Sequence, residues 1–340
     1  MKFFKSNKFY TLVCVAISVV IITTAFLLLP TPTQSENILP VIKPDLPEDS
    51  VAPQISLLGE EFIILNYGQE YTEAGYSATD DLDGDITDDV EINPSVDTFT
   101  PGTQTITYSV SDNAGNIATA IRTVLVKHET VESTGEERTV YLTFDDGPCI
   151  YTPQILDILA QYNVKATFFV TAQKPEYAYL MKRIVEEGHT IAAHTYSHLY
   201  DIYSSSESYF EDLDKINDLI YEQTGTRTAI MRFPGGSSNI ISKQYKEGIM
   251  SEIVPAVLEK GYVYFDWNID SGDATTSKPD KIVRNVTSRL SSGNNIVLMH
   301  DMKSAQITAL PQIIEYCFNN GYTLAPLNDG TYPARHSINN

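Results

Sequence analysis

The sequence predicts an α/β protein built on a parallel sheet, with a smaller all-β module ahead of it and a single transmembrane helix at its start. Three observations carry this. Lys2, Lys5 and Lys8 precede an uncharged apolar run from Phe9 to Leu29. Residues 54–127 hold short alternating runs separated by turn residues. From residue 139 onward, strand-like runs alternate with helical ones, the signature of a parallel sheet, open or closed into a barrel.

The apolar run is long enough at helical rise to span a bilayer core of roughly 30 Å. It ends in Leu27-Leu28-Leu29-Pro30 without a small-x-small cleavage site, so an uncleaved signal-anchor over residues 1–30 is expected, with a cleaved signal as the alternative that exports the chain equally. The basic flank then stays in the cytoplasm and the remaining chain is extracellular, on the cell-wall side of the cell membrane. Residues 31–53, with Pro32, Pro40, Pro44, Pro47 and Pro53, read as an extended tether. In residues 54–127, strands are expected at Gln54–Leu58 and Phe62–Leu65. A hairpin follows, in which Ile106, Tyr108 and Val110 lead through Asp112–Asn116 into a run from Ile117 to Val126. Residues 128–138 form a second polar linker and 328–340 a polar tail.

The domain at residues 139–327 has strand candidates at Val140–Phe144, Ala166–Val170, Thr190–Ala193, Ala229–Arg232, Tyr262–Asp266, Ile296–Met299 and Tyr322–Ala325. One helix is expected to start at Thr152-Pro153, with threonine as N-cap, and others end at Gly188, Gly261 and Gly321. The net charge of −21 excludes nucleic acid as a partner and a broad basic surface for anionic lipid. Of the three cysteines, Cys14 lies in the apolar run; Cys149 and Cys317 are expected as two unpaired thiols, with a disulfide between them as the alternative in an oxidising compartment and Cys149 a spectator.

In parallel α/β folds, functional groups gather at the carboxyl ends of strands. Here Asp145-Asp146 follow the first of these strands, His194 and His198 the third, Arg232 the fourth, Asp266, Asp270 and Asp273 the fifth, and His300-Asp301 the sixth. Two adjacent carboxylates need a cation or a shared proton. His194 and His198, four apart, lie on one helix face or around one tight turn and can reach one metal. With one acid of the pair they make a two-histidine, one-carboxylate set, as in zinc hydrolases and non-haem iron oxygenases. His128, His189 and His336 are expected to be solvated.

Two resemblances sharpen this. Asp80-Asp81-Leu82-Asp83-Gly84-Asp85-Ile86-Thr87 and Tyr108-Ser109-Val110-Ser111-Asp112-Asn113-Ala114-Gly115-Asn116 resemble the bacterial immunoglobulin-like modules of surface proteins, which implies a small β-sandwich serving as a spacer or a cell-wall-binding unit. Counted from Asp81, Ile86 and Ile92 occupy the glycine and glutamate places of an EF-hand, so the acidic run is expected to be a solvated loop.

The segment from about Arg138 to Leu327 resembles the polysaccharide deacetylase family, carbohydrate esterase type 4, or NodB-homology domain. The carrying motifs are Thr143-Phe144-Asp145-Asp146-Gly147-Pro148, His194-Thr195-Tyr196-Ser197-His198, Arg232-Phe233-Pro234-Gly235-Gly236, Asp270-Ser271-Gly272-Asp273 and Ile296-Val297-Leu298-Met299-His300. The resemblance implies a distorted (β/α) barrel and metal-dependent removal of acetyl groups from glycans. It implies Asp146, His194 and His198 as ligands of a divalent metal (Zn2+, with Co2+ or Mn2+ as alternatives), Asp145 as general base and His300 as general acid. Arg232 would orient the base, Asp273 would pair with His300, and the Gly235 N–H would hold the oxyanion.

Leu298 and Trp267 are candidates for the acetyl pocket. Gly235 stands where the family usually has an aromatic residue, and Ala274 where it usually has tryptophan. The expected substrate is peptidoglycan N-acetylglucosamine. Alternatives are N-acetylmuramic acid, a capsular glycan or xylan, or a catalytically inactive glycan-binding adhesin.

Overall fold

The computed structural model describes residues 49–93, 95–129 and 137–339. The expected transmembrane run, nearly all of the first tether and much of the second linker lie outside the described residues. Among the described residues, no helix is long and apolar enough to cross a membrane.

Seven strands form the first module: β1 (Gln54–Leu57), β2 (Phe62–Leu65), β3 (Tyr76–Asp80), β4 (Gly84–Asp85), β5 (Glu91–Asn93), β6 (Gly102–Ser111) and β7 (Ile117–Val126). They divide into a three-stranded sheet β1-β3-β4 and a four-stranded sheet β2-β7-β6-β5. The β6–β7 hairpin pairs over ten residues, from Gly102↔Val126 to Ser111↔Ile117. Alternation along β6 buries Ile106 and Tyr108 against Val124 and Val126, and Val110 against Ala78 and Ile86. Within this small core Arg122 is fully buried, donating to Glu73, to Tyr108 Oη (3.0 Å) and to the Glu60 carbonyl (3.2 Å). A buried guanidinium is tolerable only when its donors are matched in this way.

The module packs directly on the second domain. Phe62 and Ile64 join that domain's core, Phe62 meets Tyr262 edge-on at 6.4 Å, and Arg227 lies 4.8 Å over the Phe62 ring. Lys127 Nζ donates to the Gly261 carbonyl at 3.0 Å, and Arg227 N to Thr103 Oγ1 at 3.1 Å. The second linker is also held, with His128 bonded to Asp329 through both its backbone N and Nδ1 at 2.8 Å.

In the second domain, β8 (Arg138–Asp145), β9 (Thr167–Val170), β10 (Thr190–Ala193), β11 (Ile230–Met231), β12 (Val263–Tyr264), β13 (Ile269–Asp270), β14 (Gly293–His300) and β15 (Thr323–Leu324) form one sheet. Helices α1 (Thr152–Gln161), α2 (Leu180–Glu186), α3 (Ser206–Thr224), α4 (Ile249–Glu259), α5 (Pro279–Thr287) and α6 (Ala305–Asn319) cover it. The pairs in it are parallel and run β12-β11-β10-β9-β8-β14-β13. β12 and β13 do not pair, so the sheet is a curled half-barrel and not a closed ring. The distortion starts at β8: β14 takes its whole length, while β15 pairs at Thr139–Val140 and β9 at Thr143–Asp145.

Local chemistry sets the helix ends. Ser205 Oγ accepts from Ser208 N (3.0 Å) at the start of α3, and Gly225, with φ +71°, closes it. Thr152 is not the N-cap expected of it. It is the first helical residue, and its hydroxyl accepts from Cys149 N (2.7 Å) and donates to Asp301 Oδ2 (2.5 Å). Cys149 and Cys317 are buried, unpaired thiols. His189 is also buried, accepting from Ala166 N at 3.1 Å, so its expected solvation is corrected; burial holds its pKa down at about 4.

The period of two along the strands places the site. Val140, Leu142, Phe144, Phe168, Val170, Ile191, Ala193, Val297 and Met299 face the helices. Phe169, Ala192, Ile230, Val263 and Ile296, with Tyr141 against them, line the concave side. Continuing the concave set toward the carboxyl ends reaches Thr143 and Asp145, His194, Arg232, and Leu298 and His300. Register brings these together, since His300 lies opposite Asp145 and Leu298 opposite Thr143.

Candidate active site

Asp145 ends β8, buried on the concave side. Its Oδ1 accepts from Arg232 Nη1 at 2.7 Å, and its Oδ2 lies 3.6 Å from His194 Nε2. Arg232 is fully buried and bound on every side. Nε donates to the Phe265 carbonyl (2.8 Å), Nη2 to the Asp266 carbonyl (3.1 Å) and Nη1 also to Thr143 Oγ1 (2.9 Å), while its plane lies 4.0 Å over the Phe169 ring. This guanidinium cannot swing away, so it fixes the orientation of Asp145. Burial pushes the Asp145 carboxyl's pKa up, against the opposing pull of Arg232.

Asp146 adopts φ +75°, which turns its side chain away from the strand path followed by Asp145. The histidines sit on a tight turn rather than a helix, with Thr195 at φ +65° and His198 at φ +54°. Asp212 on α3 holds that turn by accepting from Tyr196 N (2.7 Å) and Ser197 N (3.0 Å). Asp146 Oδ1 lies 3.2 Å from His198 Nε2 and 3.6 Å from His194 Nε2.

The tautomer of His194 follows from its partner. Nδ1 lies 2.8 Å from the Arg232 carbonyl, which can only accept, so Nδ1 carries the proton. Burial, with His198 beside it, drives the His194 pKa down to about 3, so the ring is neutral and Nε2 presents a lone pair. That lone pair faces the buried Asp146 Oδ1, which has no hydrogen-bond donor. Two imidazole nitrogens and one carboxylate oxygen within 4.8 Å of one another fit a divalent cation.

Across the site, His300 Nδ1 lies 2.8 Å from Asp273 Oδ1, and His300 N donates to Asp273 Oδ2 at 2.7 Å. Gln306 Nε2 on α6 adds a third bond to that carboxylate at 2.5 Å. Burial alone would depress the His300 pKa. The bond to Asp273, with the charges of Asp273, Asp145 and Asp146, overcomes it and raises the value to about 9. Burial raises the Asp273 pKa too, but the His300 bond reverses this and holds it low.

The loop after Arg232 is exposed at Gly235, which has φ +75° and whose N–H donates to no acceptor among the described residues. A side chain there would meet Tyr200 Oη at 2.8 Å. Tyr200 therefore fills space that an aromatic residue at 235 would seek, and its ring stands edge-on to His198 at 6.3 Å. Trp267 is half-buried against the concave core, 3.0 Å from where a Gly236 side chain would begin. It is a wall behind this loop, with Arg232 5.7 Å from its ring. Leu298 is buried on the concave side, two residues before His300.

The tail is not simply solvated. His336 packs edge-on to Trp267 at 4.9 Å, and its N–H donates to Asp266 Oδ2 at 2.7 Å. Asp266 in turn accepts from Ser237 N at 2.8 Å and so ties down the Gly235 loop.

The structure thus brings together Asp145, Asp146, His194, His198, Arg232, Asp273 and His300 from five segments. Thr143, Asp212, Gln306 and Tyr200 were missed as supporting residues. Thr143 stood inside a quoted motif, but the other three carry no local signal: packing of α3 and α6 delivers Asp212 and Gln306, and the turn after His198 delivers Tyr200.

The sequence profile described as Polysaccharide deacetylase matches residues 132–248, and that of the Bacterial surface protein, Ig-like domain matches residues 55–126. A peptidoglycan-N-acetylglucosamine deacetylase of Bacillus cereus is 32% identical over 207 residues, which is 59% of this chain and 91% of that protein. The chain belongs to the polysaccharide deacetylase family. The catalytic domain of peptidoglycan N-acetylglucosamine deacetylase from Eubacterium rectale is 43% identical, superimposes with a TM-score of 0.60, and covers 63% of this chain and 98% of that one. A crystal structure of a Bacillus cereus polysaccharide deacetylase gives a TM-score of 0.53 at 28% identity, over 59% of this chain and 97% of that one. This deacetylase is a hydrolase of that family, preceded by an immunoglobulin-like module.

Proposed function

We propose that this deacetylase is membrane-anchored and extracellular, depends on a divalent metal, and removes the N-acetyl group of peptidoglycan N-acetylglucosamine. The observation that carries the reading is the placement of two charge-paired couples, Asp145 with Arg232 and His300 with Asp273, around the Asp146, His194 and His198 donors. The names of the Bacillus cereus and Eubacterium rectale relatives support the substrate. Lys2, Lys5 and Lys8 before the run from Phe9 to Leu29 support the anchor and the orientation.

A cation held by Asp146, His194 and His198 supplies Lewis acidity, lowering the pKa of water toward about 7 and polarising a carbonyl. Two imidazole nitrogens and one carboxylate oxygen suit zinc, with cobalt and manganese as substitutes. Asp145, aimed by Arg232, takes a proton from the attacking water. The free Gly235 N–H donates to the oxygen on which negative charge develops. His300, protonated below about pH 9, gives its proton to the leaving nitrogen. The C–N bond breaks, and acetate and the free amino sugar result. Leu298 and Trp267 are the apolar surfaces against which the acetyl methyl can pack.

The test is acetate release from purified peptidoglycan and from chitin oligomers, with and without chelator. Chelator-sensitive release, greatest on peptidoglycan, is expected. Absence of such release from every acetylated glycan would remove the proposal. Asp145→Asn separates catalysis from adhesion: glycan binding retained and acetate release lost supports the enzyme.

A further inference from the structure

The acidic run is largely exposed, as expected, with Asp81, Leu82, Gly84 and Asp85 all open to solvent, but its first residue is not. Asp80, at the end of β3, is 9% exposed. Its Oδ1 accepts from Leu82 N and Asp83 N, both at 2.9 Å, while its buried Oδ2 has no partner. Two other segments bring carboxylates to the same end of the immunoglobulin-like module. Oxygens of Asp49, Asp80 and Asp81 lie within 4.8 Å of one another, and so do those of Asp49, Asp83 and Asp112.

The hydrogen bonds around these acids order the carboxylates but do not neutralise them. Asp83 accepts from Asn113 N (2.8 Å) and Nδ2 (2.7 Å), and Asp112 accepts from Asn116 N and Nδ2, both at 2.8 Å. Asp49 accepts from Val51 N at 3.0 Å, and its carbonyl is reached by Asn116 Nδ2 at 3.3 Å. Among the described residues, no lysine, arginine or histidine pairs with any of the five acids.

We infer that Asp49, Asp80, Asp81, Asp83 and Asp112 form a second metal site, separate from the catalytic one, which takes a hard divalent cation of the calcium class. A buried carboxylate oxygen without a donor is costly unless a cation meets it. Asp49 belongs to both triads, so it is the shared ligand. An all-oxygen set suits calcium, which accepts six to eight oxygens in loose geometry, whereas zinc prefers the nitrogen-containing catalytic set. Occupancy ties Asp49, where the described chain begins, to the turns at both ends of the acidic face.

The test uses the full chain, stripped of metal on a chelating resin and reloaded with zinc. Equilibrium dialysis with radioactive calcium should show saturable binding at a dissociation constant of about 10⁻⁴ to 10⁻³ M, the range of extracellular modules. Asp80→Asn keeps the Oδ1 acceptor but removes the unpartnered charge. It should weaken calcium binding at least about tenfold, and Asp49→Asn should do the same. Asp146→Asn should leave calcium binding unchanged.

Thermal unfolding gives a sign that a merely structural Asp80 would not. Without calcium, Asp80→Asn should melt at or above the native temperature. In about 10 mM calcium the order should reverse, because only the native site gains from ligand. Acetate release by Asp80→Asn should stay native in either buffer. No saturable calcium binding, binding undiminished in both variants, or an equal fall in melting temperature with and without calcium would each overturn the proposal.

Discussion

Replacing Asp273 by Asn tests the proposed role of His300 as proton donor. In the native protein, burial disfavours His300 protonation, yet the Asp273 bond and nearby acids raise its pKa from 6.5 to about 9. That displacement corresponds to about 3 kcal/mol at 1.36 kcal/mol per tenfold, and His300 is buried enough for much of it to be expressed. A bound dication near Asp146 pulls the value down, so about 9 is the upper bound for the loaded enzyme. Asparagine preserves size but removes the charge, leaving a buried imidazole at or below its ordinary 6.5.

At pH 7 the protonated fraction then falls from roughly 99% to a quarter or less, and at pH 8.5 the native-to-variant ratio reaches about 75-fold. The assay is kcat/KM for acetate release from a chitin oligomer between pH 5.5 and 9.5. The alkaline limb should move down by about two pH units, with a small loss at pH 5.5 and a large one at pH 8.5. An aryl acetate, whose phenolate leaves unprotonated, should be hydrolysed with little change. An alkaline limb that stays in place in Asp273→Asn would refute the assignment of His300 as donor.

Other outcomes follow from the same geometry. Asp146→Asn should lower zinc affinity by at least about tenfold, measured by competition with a chromophoric chelator, because it removes the anionic donor facing two imidazoles. Gly147→Ala should destabilise the fold by about 1–3 kcal/mol in urea, since a methyl there collides with the Asp301 carboxylate; adding Asp301→Ala should recover part of the loss. Phe62→Ala should reduce stability by about 1–2 kcal/mol by removing the Tyr262 edge contact and the Arg227 stacking between module and domain.

The His300–Asp273 pair also shapes stability against pH. Because the His300 pKa is raised above its unfolded value, its contribution is full below about pH 6.5 and is lost as pH rises through about 9. The Asp273 pKa is depressed, so its share is present above its unfolded value and is lost as pH falls through the folded one. The melting temperature should form a plateau between these limits, and Asp273→Asn should remove the alkaline decline.

Seven of the eight strands of the second domain, the polar residues at strand ends and the family were legible in the sequence because they are local; the two-residue β13, Ile269–Asp270, which leads to Asp273, was not. Hydrophobic alternation marks Thr190–Ala193, and the Asp145-Asp146-Gly147-Pro148 punctuation marks a strand end. The tertiary structure decided what depends on residues distant in sequence. The sheet stays open because β12 and β13 do not pair, and β9 and β15 share one side of β8; no single strand announces either. The tautomer of His194 depends on the Arg232 carbonyl, and the strength of the His300 pair on Gln306 from α6. Tyr200 fills the space beside Gly235 because two loops cross there. The acidic run is solvated except at Asp80, because composition reports charge but not burial, and only packing of β3 places that one residue out of water. The sequence by itself determined which groups carry the chemistry; the fold decided which of them face one another, because distance and desolvation, not residue type, set their protonation and their need for a cation.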